Sequence, residues 1–222
     1  MAKVNKTELA VALLSLYQST YDFNIIAGKS IKPEYAKSQD GLVIEETKEG
    51  IVARIEKDEV LSLDGLIDCL VTASFRVLIM DGNTDLLKDH SGIFDSETCV
   101  EDLWGNLLSS LLKEDWINVL QTAEDLLYRT DPHAIHNLYE VATSNMSKYV
   151  PVALLDDPED MCDKIESEGR YTGVEYHISK AACSQEFYVF TATYDIKEKR
   201  AFDKPKIVKP VGFFKEPQLL VG

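Results

Sequence analysis

Apolar residues recur every three to four positions through most of the first 150 residues, which is the spacing of one face of an α-helix. The pattern predicts helices over residues 7–23, about 38–57, 62–80, 96–112, 116–128 and about 131–149. Thr7 and the pair Asp131-Pro132 suit the starts of the first and last helices, because a hydroxyl or carboxylate caps a helix and proline fits its first turn. These elements predict a mainly α protein.

The pattern changes after Pro151. Residues 171–180 and 186–195 are rich in Tyr, Phe, Val, Ile and Thr with partial alternation, which predicts a β-hairpin. A third strand is expected at 206–209, and a short surface helix near Asp157-Pro158. Residues 1–150 are therefore expected to form a helical core, and residues 151–222 a small α+β extension.

Composition permits a real hydrophobic core. The chain has 222 residues, of which 45% are hydrophobic and 27% are charged. This length favours one elaborated domain or a core domain with a smaller attached module.

The charge balance is acidic, with 23 Lys and Arg against 38 Asp and Glu and a formal net charge of -15. Such a charge repels phosphate backbones and anionic lipid headgroups, so neither a nucleic-acid nor a membrane partner is expected. A nucleotide remains possible, because a divalent metal held by carboxylates inverts the local charge. For most single carboxylates, a solvated acidic face is the ordinary interpretation.

The four cysteines are far apart and form no CxxC pair, so the sequence suggests neither a zinc site nor a redox motif. The chain has no signal-peptide pattern and no window of 18 apolar residues. We therefore expect a soluble, cytoplasmic protein.

Carboxylates concentrate on the second and third predicted helices. The segment 45–49 reads EETKE, an EExxE arrangement in which Glu46 and Glu49 share one helical face. Asp64 and Asp68 are four positions apart in a segment that otherwise reads as buried. If the two helices pack side by side, Glu46, Glu49 and Asp68 form a carboxylate cage suited to Mg²⁺, with Mn²⁺ as a substitute.

This arrangement resembles the MazG-like all-α nucleoside triphosphate pyrophosphohydrolases, in which EExxE is followed after a spacer by ExxD. Aligning Asp68 with the final Asp leaves 15 residues between Glu49 and the first ExxD position. That position is Gly65 here, so one carboxylate of the family pattern is missing. Asp64 is the candidate replacement, reaching the metal after a modest rotation of its helix; alternatively a water completes the coordination, since Mg²⁺ tolerates several waters.

Two other segments extend the resemblance. Residues 138–149, LYEVATSNMSKY, are similar to the SNMSK segment of the phage-type, phosphoribosyl-ATP-pyrophosphohydrolase-like branch. Residues 186–219 resemble the closing hairpin of that branch, and LYQSTYDFN resembles its aromatic pair on helix one, with Gln18 where a His is common. Residues 83–130 look like an insertion relative to compact members.

The resemblance implies a four-helix antiparallel core, here with an inserted helical pair at about 83–130 and a small C-terminal β-hairpin module. It also implies assembly as a homodimer or homotetramer, in which residues of a second subunit could complete the pocket. If the chain is phage-encoded, its compartment is the host cytoplasm.

The implied activity is Mg²⁺-dependent cleavage of a nucleoside or deoxynucleoside triphosphate to the monophosphate and pyrophosphate. The resemblance makes Glu46, Glu49 and Asp68 the metal ligands, with Asp64 as the uncertain member. Glu45 is either a further ligand or the base that orients water.

The substrate-binding candidates are Asn145, Lys148, Tyr17, Tyr21 and Gln18. Asn145 and Lys148 lie one turn apart and combine an amide with an ammonium, which suits a nucleotide. The alternatives are a buried amide, a solvated lysine at a helix end, and a pair of core tyrosines.

Two other functions stay open at this stage. The missing acid at Gly65 and the strong negative charge fit a catalytically weakened MazG-like protein that binds nucleotide or a protein partner without turnover. Charge alone would also fit an acidic DNA mimic.

Overall fold

The computed structural model describes residues 4–82, 92, 94 and 97–222 of the chain. It is mainly helical with a small antiparallel sheet near the C-terminal end, which confirms the predicted fold class at this level. The predicted helix start at residue 96 falls outside the described residues. No helix in the described ranges has the length and apolarity needed to cross a bilayer. The helices are α1 (Lys6–Ile26), α2 (Ala36–Glu56), α3 (Glu59–Asp81), α4 (Val100–Leu112), α5 (Trp116–Thr130), α6 (Ala134–Met146) and α7 (Pro158–Ser167), with short 3-10 helices at Pro33–Tyr35 and Val152–Leu154.

The contacts divide the chain into two compact units. The first contains Met1–Tyr21, Ser30–Ala142 and Pro217–Gly222, and the second contains Asp22–Lys29 and Thr143–Glu216. The sequence places the boundary near residue 150, whereas the structure places it inside α6. Helix α1 likewise contributes its first part to one unit and its last turn to the other.

The core of the first unit takes residues from every helix between α1 and α6. Helix α5 packs on α3 and supplies residues with no exposed surface, among them Val119, Leu120, Ala123, Leu126 and Leu127. The apolar stripe of α5 therefore belongs to the core itself, although the sequence assigns it to an inserted pair. Residues 83–91 of that predicted insertion lie outside the described residues.

The second unit holds a five-stranded antiparallel sheet of β1 (Tyr149–Pro151), β2 (Tyr171–Thr172), β3 (Glu175–Lys180), β4 (Glu186–Asp195) and β5 (Arg200–Ile207). All four other strands pair with β4. Val189 pairs with both Tyr149 and His177, so β1 and β3 flank β4 on opposite sides. By the same logic β5 lies on the side of β1, and β2 on the side of β3.

The predicted hairpin is confirmed. The third strand, predicted at 206–209, runs from Arg200 to Ile207, so it begins six residues earlier and ends two residues earlier than predicted. The first predicted strand is split into β2 and β3 at Gly173, whose φ of +65 is a conformation that L-residues with a side chain rarely adopt. β1 has only three residues and no alternation, so the sequence pattern contains no signal for it.

A carboxylate-lined cavity as candidate functional site

Helices α2 and α3 form a hairpin with a two-residue connection. Lys57 ends α2 in the left-handed conformation, with a φ of 63. Asp58 then begins α3, because its side chain accepts a hydrogen bond of 2.9 Å from the backbone N–H of Leu61. A connection this short places the two helices side by side and antiparallel.

The helices touch at two glycines. A Cβ built on Gly65 would lie 2.6 Å from both the Cα and the N of Gly50, which is closer than Cβ atoms approach other atoms in proteins. The absence of side chains at Gly50 and Gly65 therefore lets the two backbones meet. The carboxylates on either side of this crossing are brought together as a result.

A cavity of about 380 Å³ opens beside this crossing. Its walls carry five carboxylates and one lysine, and it is lined by Glu46, Lys48, Glu49, Val52, Ala53, Glu56, Leu61, Asp64, Gly65 and Asp68. The structure thus brings together the four acids predicted as metal ligands.

The cavity also includes two charged residues that the sequence reasoning did not select, Glu56 and Lys48. Glu56 follows Glu49 by seven positions, which is two helical turns, so extending the EExxE face by one heptad would have identified it. Glu45, which was predicted as a ligand or base, is exposed and is absent from the residues that line the cavity.

Glu46 is the acid most affected by this environment. Burial, followed by the charges of Asp68, Glu49, Glu45 and Asp64, raises the pKa of Glu46 from 4.5 to about 7. Close carboxylates oppose one another's ionisation. The cavity therefore has an excess of negative charge that a cation would relieve.

Next to the acids, Thr47 and Cys69 form a buried polar contact between α2 and α3. The hydroxyl of Thr47 donates to the carbonyl oxygen of Val43 at 2.6 Å and contacts the Sγ of Cys69 at 3.1 Å. Burial raises the pKa of Cys69 to about 12, so this thiol stays protonated and unreactive. The chemistry of the cavity rests on its carboxylates.

Asp64 needs no helix rotation to reach the cavity. Asp64 and Asp68 are one turn apart on α3 and both line it, whereas position 65 faces Gly50. Asp64 thus lines the cavity without any rotation of its helix, and its role as a metal ligand stays a prediction. The missing acid at position 65 also has a physical reason, since no side chain fits there.

The donor atoms fit a hard divalent cation, because carboxylate oxygens are what Mg²⁺ and Mn²⁺ prefer. The raised pKa of Glu46 agrees with this, because burial and then the charges of the neighbouring acids both disfavour its ionised form. Within the part of the chain that the structure describes, no group of three or more Asp, Glu, His or Cys side chains is arranged so that it could hold a metal ion as it stands.

Tyr17 is a core residue. Its side chain is 1% exposed, and its hydroxyl donates a hydrogen bond of 2.5 Å to Glu124, which is itself fully buried. A ring enclosed in this way cannot stack on a nucleotide base, so the prediction of Tyr17 as a substrate-binding residue is corrected. Tyr21 is partly buried against the same core, and Gln18 is exposed on α1.

Asn145 and Lys148 are close together, as their spacing predicts. The Nζ of Lys148 donates to the Oδ1 of Asn145 at 2.9 Å and lies 5.4 Å from the centre of the Phe23 ring. Both residues belong to the second unit, whereas the carboxylates belong to the first. Their role in substrate binding stays a prediction.

Comparison of the chain with protein-family models, curated proteins and solved structures gives no match. The MazG-like assignment therefore rests on the sequence motifs alone.

Proposed function

We propose that the protein is a Mg²⁺-dependent pyrophosphohydrolase acting on a nucleoside or deoxynucleoside triphosphate. One observation carries the proposal: Glu46, Glu49, Glu56, Asp64 and Asp68 line a single cavity between two helices. Structural helices have little reason to gather five acids around one cavity, because like charges at this spacing are destabilising. A polyanion with its metal ions provides such a reason.

Glu46, Glu49, Asp64 and Asp68 are the residues that would hold the ion. When bound, Mg²⁺ supplies positive charge for the polyphosphate and acidifies water. The chain itself contributes ligand oxygens from two helices whose spacing is fixed by the glycine contact. This rigid support keeps the acids at a constant separation.

The other groups in the cavity suit the rest of a nucleotide. Lys48 offers an ammonium group for phosphate oxygens, and Val52 and Leu61 offer apolar surface for the sugar or base. In the proposed reaction, water attacks the α-phosphorus, the bond between the α-phosphorus and the bridging oxygen breaks, and pyrophosphate leaves. The proton of the attacking water passes to a carboxylate and then to solvent.

One observation favours a second candidate, which binds nucleotide without turnover. Position 65 cannot carry the acid that the MazG-like pattern has there, because a side chain would overlap Gly50. If Asp64 does not replace that acid in function, the cavity binds a metal–nucleotide complex weakly or unproductively.

The test is release of pyrophosphate from a panel of ribo- and deoxynucleoside triphosphates with Mg²⁺ or Mn²⁺. We expect Glu49→Gln and Asp68→Asn to lower kcat by at least about 100-fold, because the metal contributes several kcal/mol to such reactions. Glu34→Gln is the matched control, since Glu34 is exposed and outside the cavity.

Calorimetric titration with Mn²⁺ gives a second readout that needs no turnover. Wild-type protein and the Glu34→Gln control should bind the ion, and Asp68→Asn should bind it much more weakly. Metal and nucleotide binding without pyrophosphate release would favour the second candidate. Absence of ion binding to the wild-type protein would contradict both candidates.

A further inference from the structure

Positive charge is concentrated in one short stretch of this acidic chain. Residues 197–209 contain six Lys or Arg and two Asp or Glu, whereas the whole chain has 23 basic and 38 acidic residues. Arg200, Lys204 and Lys206 on β5 are all exposed. Charges more than about 10 Å apart are largely screened at 0.1 M salt, so a ligand on this strand responds mainly to the local charge.

Two aromatic rings accompany this basic stretch. Phe202 is part of it, and Tyr171 lies beside it. The centroids of Tyr171 and Phe202 are 6.4 Å apart, with planes inclined by 45°. Arg170 lies 4.9 Å from the centre of the Tyr171 ring, and Arg200 and Lys206 lie 5.9 Å and 5.5 Å from that of Phe202. We call these five residues the basic aromatic patch.

The sheet geometry places the β5 side of the patch at an edge of the sheet. β5 pairs with β4 and with no other described strand, so it is an edge strand. Ala192 pairs with Lys206 and Tyr194 with Ala201, so one residue of β4 stands opposite residues 202–205. This irregularity frees that part of β5 from regular pairing, and Pro205 within it has no N–H to donate.

Arg170 is fixed at the other side of the patch. Its Nε lies 3.6 Å from the Oδ2 of Asp195, which is buried, while its own side chain is 50% exposed. The guanidinium is therefore held beside Tyr171 and still reaches solvent. An anchored arginine loses less conformational entropy when it binds an anion than a freely rotating one.

We propose that the basic aromatic patch binds single-stranded nucleic acid. Cations beside half-buried rings match a chain of phosphates with unpaired bases, because bases stack on the open part of the rings while the cations meet the phosphates. Paired bases in a duplex offer no such faces, and an acidic peptide offers charge without planar bases. The overall charge of -15 predicts no nucleic-acid partner, but this average does not describe the local surface of β5.

The experiment is fluorescence anisotropy of a labelled 12-residue oligothymidylate, titrated with the full chain at 50 mM salt. We expect measurable binding. The logarithm of the binding constant should fall with the logarithm of the salt concentration, with a slope of about -2, as for three neutralised phosphates on a single strand. Phe202→Ala should weaken binding about tenfold through lost stacking. The midpoint of thermal unfolding reports whether each variant folds.

A matched pair of double variants separates the patch from general electrostatics. Arg200→Gln with Lys206→Gln should weaken binding at least tenfold, and Lys164→Gln with Lys180→Gln should leave it unchanged. Lys164 and Lys180 are exposed cations of the same unit, each beside an acid. Both pairs remove the same charge, so equal weakening by the two would overturn the proposal.

Two competitors test the class of partner. An unlabelled 12-base-pair duplex and a polyglutamate of equal charge should compete at least tenfold less well than the single strand. Equal competition by the duplex would show that the patch binds polyanions in general. Equal competition by polyglutamate would favour an acidic protein as the partner. Either result overturns the proposal. No result here depends on pyrophosphate release, so this proposal and the proposed function fail independently.

Discussion

A Cβ on Gly65 would lie 2.6 Å from the Cα of Gly50, so the two helices that carry the carboxylates meet backbone to backbone. This contact links packing to the proposed chemistry. It brings Glu46 and Glu49 on one helix close to Asp64 and Asp68 on the other. It also excludes an acid from position 65 and leaves position 64 as the neighbouring place on α3 from which a carboxylate lines the cavity.

The first prediction concerns this crossing. Gly65→Ala should lower the free energy of unfolding by about 1–3 kcal/mol, since the added methyl group has no space and the helices must move apart. Urea denaturation measures the change. Gly65→Glu should be more destabilising still, and should not raise any pyrophosphohydrolase activity.

Gly41→Ala is the matched control for this variant. Gly41 is likewise inside a helix, here α2, and a Cβ built there meets no atom within 4 Å. Alanine should therefore stabilise the protein by up to about 1 kcal/mol, because glycine is a poorer helix former. Equal effects of the two substitutions would show that the close approach of Gly50 and Gly65 is not a real constraint.

The second prediction separates core residues from substrate-binding residues. Tyr17→Phe should lower the free energy of unfolding by about 1–3 kcal/mol, because the buried carboxylate of Glu124 loses a hydrogen-bond donor. The KM for nucleotide should stay within twofold of the wild-type value. Thermal unfolding and steady-state kinetics on the same samples measure the two effects.

Tyr139→Phe is the control, since this tyrosine is 47% exposed and its substitution should change neither quantity. A large rise in KM for Tyr17→Phe without loss of stability would return Tyr17 to the substrate-binding set.

The helices were predictable because their core faces repeat at helical spacing over many residues. α3 shows this most clearly, with Leu63, Leu66, Ile67 and Leu70 all buried. The role of α5 was harder to predict, because an apolar stripe does not reveal which helix it packs against. β1 was not predictable, since three residues cannot show a period.

The acids of the site were predictable from spacing within each helix, because residues three, four and seven positions apart share a face. The reason for Gly65 was not predictable, because it depends on a contact with Gly50 on another helix. The burial of Tyr17 likewise depends on Glu124, which is 107 positions away. Sequence spacing thus reveals which residues share a helical face, and tertiary contacts decide which of those faces is buried against another helix.

The third prediction concerns Lys48, the cation among the residues that line the cavity. If the site binds a polyphosphate, Lys48→Gln should raise the KM about tenfold, since a hydrogen bond between charged groups contributes about 1.5–3 kcal/mol. Lys37→Gln, an exposed change on the same helix and outside the cavity, should leave the KM unchanged. Equal KM values for both variants would exclude phosphate contact by Lys48.

The fourth prediction follows from the pKa of Glu46, which is about 7 in the folded protein against an ordinary value of 4.5. Between these values the unfolded chain ionises first, so its free energy falls relative to that of the folded state as pH rises. The wild-type protein should therefore lose stability from about pH 4.5 to pH 7 relative to Glu46→Gln, which does not titrate there. Solvent screening of this partly exposed side chain reduces the free energy that the pKa shift would otherwise represent, so we expect a difference of about 1 kcal/mol.

Urea denaturation of both proteins at pH 4.5 and pH 8, without divalent metal, measures this difference. At pH 8, adding 10 mM Mg²⁺ should then stabilise the wild-type protein and have much less effect on Glu46→Gln, because the ion neutralises the carboxylates and the variant has lost one ligand. If the two proteins differ in free energy of unfolding by the same amount at both pH values, the pKa of Glu46 is not raised in the folded protein. A shift with pH but no response to Mg²⁺ would instead mean that the crowded acids strain the fold without forming a magnesium site.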